Sequence, residues 1–589
     1  MEGDTPMSVL APRFGFGIGL GKGYGARSQG GGLTPIGPSY AFVTAGAAPG
    51  TLIASIMGLS SGENIALVTP NDGRFALDSS RRNLIVGMSA ITAGTVVATL
   101  TTSTNRVLAL TINAQPSLPA PLLLEGFNSL AGWTAESVNL ELSLDNVAPV
   151  EGGSLLRLQA KADGTGEVRA TKASIGTINP ANLGTMLIYA RFDDDPDYQR
   201  YNNFNAYFRK GATSYFKAVS SGLSASFTSG GRWFSMEAST FNNSFTSAGS
   251  AEYGLQIMLT EAQSGGAKIS LDAFVAKGEG RPAIILTLDD IPVTQFNNAR
   301  PLLNDRGLKG TFFIPTANIA ATDRMTVEQL ATLYADGHDL ASNGTPDDTA
   351  MTSRPTLEAA IADIKAVRAF LIANGWTRAV DHLCYPNGST RTPGTEVTTT
   401  AATSTGNDVV TMTSTAGVTA GMKVVGYNVP RITRVVSVDS VTQITVDHNI
   451  PAQTKPMTFV NDSGHFHTGK MQAALKAAGF KSGRTTVATG SFPSRFGVGD
   501  QALYCIGNPT SGRTFAQLQT TTDAAIRRGE TLMFYTHGVF SGAAGQHTDV
   551  AVFTEFLDYL KAKSDAGEID VLTVSQWWAR DCSNPKSPF

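Results

Sequence analysis

The sequence predicts a multidomain protein in which all-β modules precede an α/β half. Three observations carry that prediction. At 589 residues the chain exceeds what one hydrophobic core supports, and roughly 150 residues per domain gives about four domains. In the first half, short runs of alternating polar and apolar residues sit between turn signals, as in half-buried strands. From Arg281 the pattern becomes strand, helix, strand, helix, which predicts a parallel sheet or barrel with helices outside.

Composition narrows the function classes. Charged residues make up 16% and the net charge is −3, so no basic field exists to hold nucleic acid or an anionic membrane. The 61 glycines, with many Ser, Thr, Ala and Asn, fit an extracellular or virion β-protein better than a cytosolic enzyme. Met1-Glu-Gly-Asp-Thr-Pro6 has no basic segment and no apolar run follows it, so no secretory signal is expected. No window approaches roughly 18 apolar residues, so no membrane span is expected. Cys384, Cys505 and Cys582 are far apart and odd in number, which indicates neither a disulfide framework nor a thiolate metal site.

Residues 1–34 hold Phe14-Gly-Phe-Gly-Ile-Gly-Leu-Gly-Lys-Gly23 and Gly30-Gly-Gly32, a flexible tether unless a partner orders it. Residues 35–116 carry short β-like runs at Ile65–Val68, Arg74–Leu77 and Asn83–Val86, with Asn71-Asp-Gly73 as a turn signal. They predict a small β-sandwich resembling immunoglobulin-like and cadherin-like modules. After the linker Pro116–Pro121, residues 117–278 alternate again at Ser137–Asp145, Leu156–Ala162, Thr185–Phe192 and Ala267–Phe274. A larger all-β domain follows, with a jelly roll as its expected form, resembling carbohydrate-binding modules in pattern. Trp133, Tyr198, Tyr201, Phe204, Tyr207, Phe208, Tyr215, Phe216 and Trp233 supply either sugar-stacking faces or the core and cross-strand pairs usual in strands.

The α/β half spans 279–393 and 460–589. Arg281–Asp290 is an apolar strand ending in two carboxylates, and tips of parallel strands are where such folds build active sites. Asp-Asp there also suits a plain turn. A helical stretch near Gln295–Arg306 and a strand at Gly310–Pro315 follow. Thr326-Val-Glu-Gln329 forms a capping box for the next helix. Leu357, Ile361, Ile364, Val367 and Leu371 recur at steps of three and four, an amphipathic helix covering a sheet. Further elements are expected at Thr468–Ala478, Lys481–Val487, Thr514–Arg527, Thr531–Tyr535 and Val550–Lys563. Residues 394–459 interrupt this alternation with Thr-rich β text at Asp408–Thr413, Arg431–Val438 and Gln443–Val446, read as a small β-domain inserted at a loop tip. Thr413–Gly426 resembles a short β-module common in phage tail proteins.

Six stretches in order resemble the motifs of the polysaccharide deacetylase family, which includes chitin and peptidoglycan deacetylases. They are Thr287-Leu-Asp-Asp290, Gly310–Pro315, Gly337-His-Asp-Leu-Ala-Ser-Asn343, Cys384-Tyr-Pro-Asn-Gly388, Leu532-Met-Phe-Tyr-Thr-His-Gly538 and Asp570–Ser575. The resemblance implies a deformed (β/α) barrel. It also implies a divalent metal, held by one Asp and two His, that activates a water against an acetamide carbonyl. An amide is a poor electrophile, so a metal is useful both to polarise its carbonyl and to acidify water, while a base and an acid move the protons. Carried over by position, Asp289 is the base, Asp290 a metal ligand and His537 the acid. Tyr385 lends a backbone N–H to the oxyanion beside Pro386 and Asn387, and Arg484 and Asp500 orient the catalytic groups.

The sequence departs from the family at the metal motif. Asn343, Gly344 and Asp347 stand where the pattern has His, Ser or Thr, and a second His. Asp290, Asn343 and Asp347, or Asp348 in another register, offer only oxygen. The resemblance implies zinc, whereas this set suits Mg²⁺, Mn²⁺ or Ca²⁺, or holds no ion. Among other histidines, His338 falls on the opposite face from Asn343 and reads as structural. His382 reads as packing, His465 and His467 as a solvated loop or a metal pair, and His547 as a residue bordering the cleft.

Two functions are expected. One is metal-assisted removal of acetyl groups from a bacterial surface polysaccharide. The other is a receptor-binding or structural virion protein whose barrel is a degenerate enzyme. Both suit a phage tail fibre or tailspike whose N-terminus meets other virion tail proteins, with an extracellular bacterial protein as the rival. Phage fibres are often trimers, but nothing here resembles a coiled coil, so the oligomeric state stays open.

Overall fold

The computed structural model describes residues 40–56, 59–115, 122–137, 140–146, 152–160, 167–178, 186–192, 201–210, 214–220, 231–240, 251–261, 268–276, 281–345, 351–390, 395–426, 429, 433–461, 468–486, 492–493, 503 and 505–582. The glycine-rich stretch Phe14–Gly32 lies outside them.

Residues 40–115 form two sheets. One orders Tyr40–Thr44, Val107–Gln115, Gly94–Thr102 and Ile65–Thr69, and the other Leu52–Ser55, Asn83–Val86 and Phe75–Leu77. Ala41, Ile65, Phe75, Leu84, Leu100 and Leu110 meet in one core between them, so the pair is a sandwich.

Between 122 and 276, eleven strands join one sheet, and the pairings along it are antiparallel. The strands at the two ends of its order, Leu140–Asp145 and Trp133–Ala135, lie against each other, so the sheet wraps around its core. That core contains Phe127, Leu156, Leu158, Ile188, Tyr253, Ile257, Leu271 and Phe274. Two of the candidate sugar-stacking aromatics are buried, Trp133 in this core and Trp233 in a separate cluster with Leu187, Ala273 and Val275. Trp133 stacks on Phe127 with ring centroids 5.5 Å apart, and the buried Trp233 packs edge-on against Tyr189, also at 5.5 Å. Tyr198 and the side chains of Tyr201, Phe204, Phe208, Tyr215 and Phe216 lie outside the described residues.

The α/β half is built on eight strands: β1 (Ala283–Asp289), β2 (Thr311–Ile314), β3 (Asp339–Ser342), β4 (His382–Cys384), β5 (Ser482–Thr485), β6 (Cys505–Pro509), β7 (Glu530–Thr536) and β8 (Asp570–Leu572). Pairing runs parallel from β1 through β7, and β7 then pairs β1, closing a ring of seven strands. The eighth strand pairs only Ala283–Ile285 of β1, while β2 pairs Thr287–Asp289. The barrel is deformed because β2 and β8 divide β1 lengthwise.

Helices cover the outside: α1 (Arg300–Asp305), α2 (Val327–Ala335), α3 (Leu357–Ala373), α4 (Thr468–Ala477), α5 (Phe515–Arg528) and α6 (Val550–Asp565). The capping box at Thr326 and Gln329 is formed, and Thr514 with Gln517 makes another for α5. Gln295–Ala299 is a π-turn leading into α1, so the helix expected from Gln295 starts one turn late, with Pro301 in its first turn. Buried Ala360, Ile364, Val367 and Leu371 give α3 its inner face.

Side-chain alternation on the strands sorts residues into two layers. Ile284, Leu286, Leu288, Phe312, Leu340, Leu532 and Phe534 pack outward beneath the helices. Ala283, Ile285, Phe313, Ala341, Cys384, Cys505 and Met533 pack into the barrel. The short helix α7 (Val574–Trp577) closes the lower end, where its Val574 and Ser575 N–H groups donate to Thr311 Oγ1 and Asp339 Oδ2 at 2.9 Å each.

The insertion forms an antiparallel six-stranded sheet between Thr395 and Asn461. It has its own core of Ala402, Val410, Met412, Val424, Ile444, Met457 and Phe459.

Candidate active site

The same alternation that points Ala283 and Ile285 inward puts Asp289 inside the upper mouth of the barrel, 4% exposed. Continued strand would turn Asp290 outward. Instead Asp290 and Ile291 take left-handed backbone angles, φ 68° and 50°, a conformation non-glycine residues seldom adopt. The sharp turn brings both carboxylates to the strand tip. Gln295 holds it there: its buried side-chain amide donates to the carbonyls of Asp289 and His537, both at 2.6 Å. Arg324 donates to the Asp290 carbonyl at 2.8 Å.

Asp289 Oδ2 accepts from Arg484 Nη2 at 2.5 Å, and the guanidinium lies over the rings of Tyr535 and Phe313, 4.7 and 5.4 Å from their centroids. Asp289 Oδ1 is buried with no hydrogen-bond partner among the described residues. Asp290 Oδ1 accepts from Asn343 Nδ2 at 2.5 Å, and its Oδ2 lies 3.2 Å from His537 Nε2. His537 Nδ1 faces the Gln546 carbonyl at 3.2 Å, so each ring nitrogen meets an oxygen. Asn343 Oδ1 accepts from the Cys384 thiol at 2.8 Å. Burial, and after it the nearby Asp289 charge, pushes the Cys384 pKa well above the usual thiol range and keeps it a donor.

The structure thus brings together Asp289, Asp290, Asn343, Arg484 and His537. It uses Tyr385 differently from the role carried over. The Tyr385 N–H donates to the Arg484 carbonyl at 2.9 Å, extending the β4–β5 ladder, and the phenol donates to the Leu503 carbonyl at 2.6 Å. A group so engaged has no N–H left for an oxyanion. Pro386 is buried beside it, while Asn387 is exposed with φ 54°. Asp347, Asp348, Asp500, His465 and His467 lie outside the described residues.

The remaining histidines are engaged elsewhere. His338 points to the outer layer, accepts the Gly310 N–H at 3.1 Å and sits edge-on against Phe312. His382 is buried against Ser482 Oγ at 2.7 Å. His547 Nδ1 accepts the Gly538 N–H at 2.8 Å and fixes the loop that carries His537. A Cβ at Gly538 would come 2.8 Å from that nitrogen, which is why glycine stands there. Sequence reasoning missed Gln295, Cys384 as an Asn343 partner, and Arg324. Their contacts span 242, 41 and 34 residues, beyond the reach of local pattern.

A divalent cation needs several lone pairs aimed at one point. Here Asp290 is already met by Asn343 and His537, and the Asn343 carbonyl is turned toward Cys384. Among the described residues no group of three His, Cys, Asp or Glu is placed to hold a metal. The described residues therefore do not fit the three-ligand zinc centre that the resemblance implied.

Residues 276–410 match the polysaccharide deacetylase family model. This matched stretch carries Asp289, Asp290, Asn343 and Cys384, and ends inside the inserted sheet. Three solved structures are similar at low identity. The Xyl-CE4 domain of a multidomain xylanase from the hindgut metagenome of Trinervitermes trinervoides is 12% identical, over 52% of this chain and 94% of that one, with a TM-score of 0.27. A family 4 acetyl xylan esterase from Clostridium thermocellum in complex with a cobalt ion is 19% identical, over 18% and 49%, with a TM-score of 0.16. Carbohydrate-binding modules of the β-sandwich superfamily are 13% identical, over 36% and 96%, with a TM-score of 0.22. No curated protein matches the chain.

Proposed function

We propose that the chain binds a bacterial surface polysaccharide and hydrolyses acetyl groups from it at the upper mouth of the barrel. The observation that carries this reading is a buried, Arg484-held Asp289, whose Oδ1 has no partner among the described residues, and beside it the Asp290–His537 pair. Asp289 takes a proton from water as the water oxygen bonds to the acetyl carbonyl carbon. The bond from that carbon to the sugar oxygen or nitrogen then breaks, and His537 protonates the leaving atom, giving acetate and a free hydroxyl or amine. No step in this scheme passes through a metal.

The test is acetate release from acetylated bacterial polysaccharide by the full chain. Asp289→Asn is expected to lower release by about 100-fold or more while the circular dichroism spectrum is unchanged. Undiminished release would overturn the assignment. A second reading, a glycan-binding barrel that has lost its chemistry, is favoured by the way Asp290, Asn343 and Cys384 satisfy one another. Glycan binding with no acetate release under any divalent ion selects it. The setting we propose is a phage tail, with residues 1–34 meeting other tail proteins. The glycine-rich N-terminal text, the β-modules ahead of the barrel and the tail-like Thr413–Gly426 stretch support that setting.

A further inference from the structure

Asn343 presents an N–H rather than a lone pair to Asp290, because its own carbonyl oxygen is committed to the Cys384 thiol. The thiol donates to that oxygen at 2.8 Å, and a carbonyl oxygen can only accept, so this contact fixes which end of the amide faces the carboxylate. The other Asp290 oxygen faces His537 Nε2. Both oxygens that would grip a cation are thereby held by nitrogens of the protein itself. In this way the amide does what a bound cation would do for the carboxylate, holding it in a fixed orientation at the strand tip and offsetting part of its charge.

We propose that in this chain the Asn343 amide stands where a divalent cation would, so that the strand-tip site operates without a resident metal. The proposal rests on the reading of the strand tips as the working site, but it concerns ion binding and is tested without turnover. Asp347 and Asp348 follow closely in sequence, so the test uses the full chain, in which every carboxylate is present.

The purified chain is incubated with Zn²⁺ or Co²⁺, desalted and analysed for metal, alongside Asp290→Ala and Asn343→His. The wild type is expected to retain no ion that depends on Asp290, to show no visible cobalt absorption, and to melt at the same temperature with and without EDTA. Asn343→His, which replaces the bridging amide by an imidazole, is expected to gain about one cobalt per chain with ligand-field bands. An ion retained by the wild type and lost in Asp290→Ala would overturn the proposal. A folded Asn343→His chain that binds no cobalt would also overturn it, because Asn343 would then not stand at the cation position. An ion that survives Asp290→Ala lies elsewhere and leaves the strand-tip site metal-free, as proposed. Failure of acetate release leaves these outcomes intact, so failure here and failure of the functional reading are separable.

Discussion

Arg484 and Asp289 have side chains only 2% and 5% exposed, so neither charge has water to solvate it and each depends on the other. Buried pairs of this kind add little net stability over a hydrophobic pair, yet breaking one strands the remaining charge. Replacing Arg484 by Met is expected to cost about 3–5 kcal/mol in urea unfolding, because Asp289 would remain buried without its partner. A loss below about 1 kcal/mol would mean that Asp289 finds another cation or takes up a proton without strain. Arg484→Lys should recover much of the stability but not the fixed carboxylate orientation, since an ammonium lacks the planar fork. What was legible at this scale was residue type at motif positions: Asp289, Asp290, Arg484 and His537 can be named from sequence and they converge. The direction in which Asn343 points was not legible, because it is set by Cys384 on the neighbouring strand β4, 41 residues further along the chain.

At the scale of elements, the apolar strand β1 with its carboxylate tip could be read from sequence, as could the capping box of α2, since both are local. The shared edge of β1 could not be read, because it depends on where β2 and β8 end up in three dimensions. His338 links adjacent elements, bonding the residue that leads into β2 from its place just before β3. Burial first, with nearby Lys309 second, lowers its pKa to about 3 from an ordinary 6.5. The folded state therefore refuses a proton that the unfolded chain accepts below about pH 6.5, so stability falls as pH drops from there toward 3. At pH 5 this one histidine is expected to cost about 2 kcal/mol relative to pH 7, and the buried His382 acts in the same direction. His338→Gln should flatten the dependence of unfolding free energy on pH between about 6.5 and 5 by nearly one proton. An unaltered slope would show that His338 is not a source of the acid sensitivity.

Across the whole molecule, the inserted sheet stands as a separate unit hung on the active-site side of the barrel. Its core shares no residue with the barrel's layers, and its first and last strands pair Thr395 with Asn461, so the chain leaves and returns at neighbouring points. It departs just beyond the tip of β4, close in sequence to Cys384 and Asn387. Excision at points so close together leaves little barrel backbone to rearrange. Replacing 395–461 by a short Gly-Ser linker is expected to leave the barrel folded, with its melting transition retained. Because the insertion sits beside the mouth and supplies none of Asp289, Asp290, Asn343, Arg484 or His537, its removal should raise KM for a polymeric glycan. The kcat on a small acetylated sugar should stay within about threefold. A chain that loses kcat on the small substrate while still folded would show that the insertion orders the catalytic strand tips. A chain that no longer folds would show that the barrel depends on contacts its separate core does not reveal.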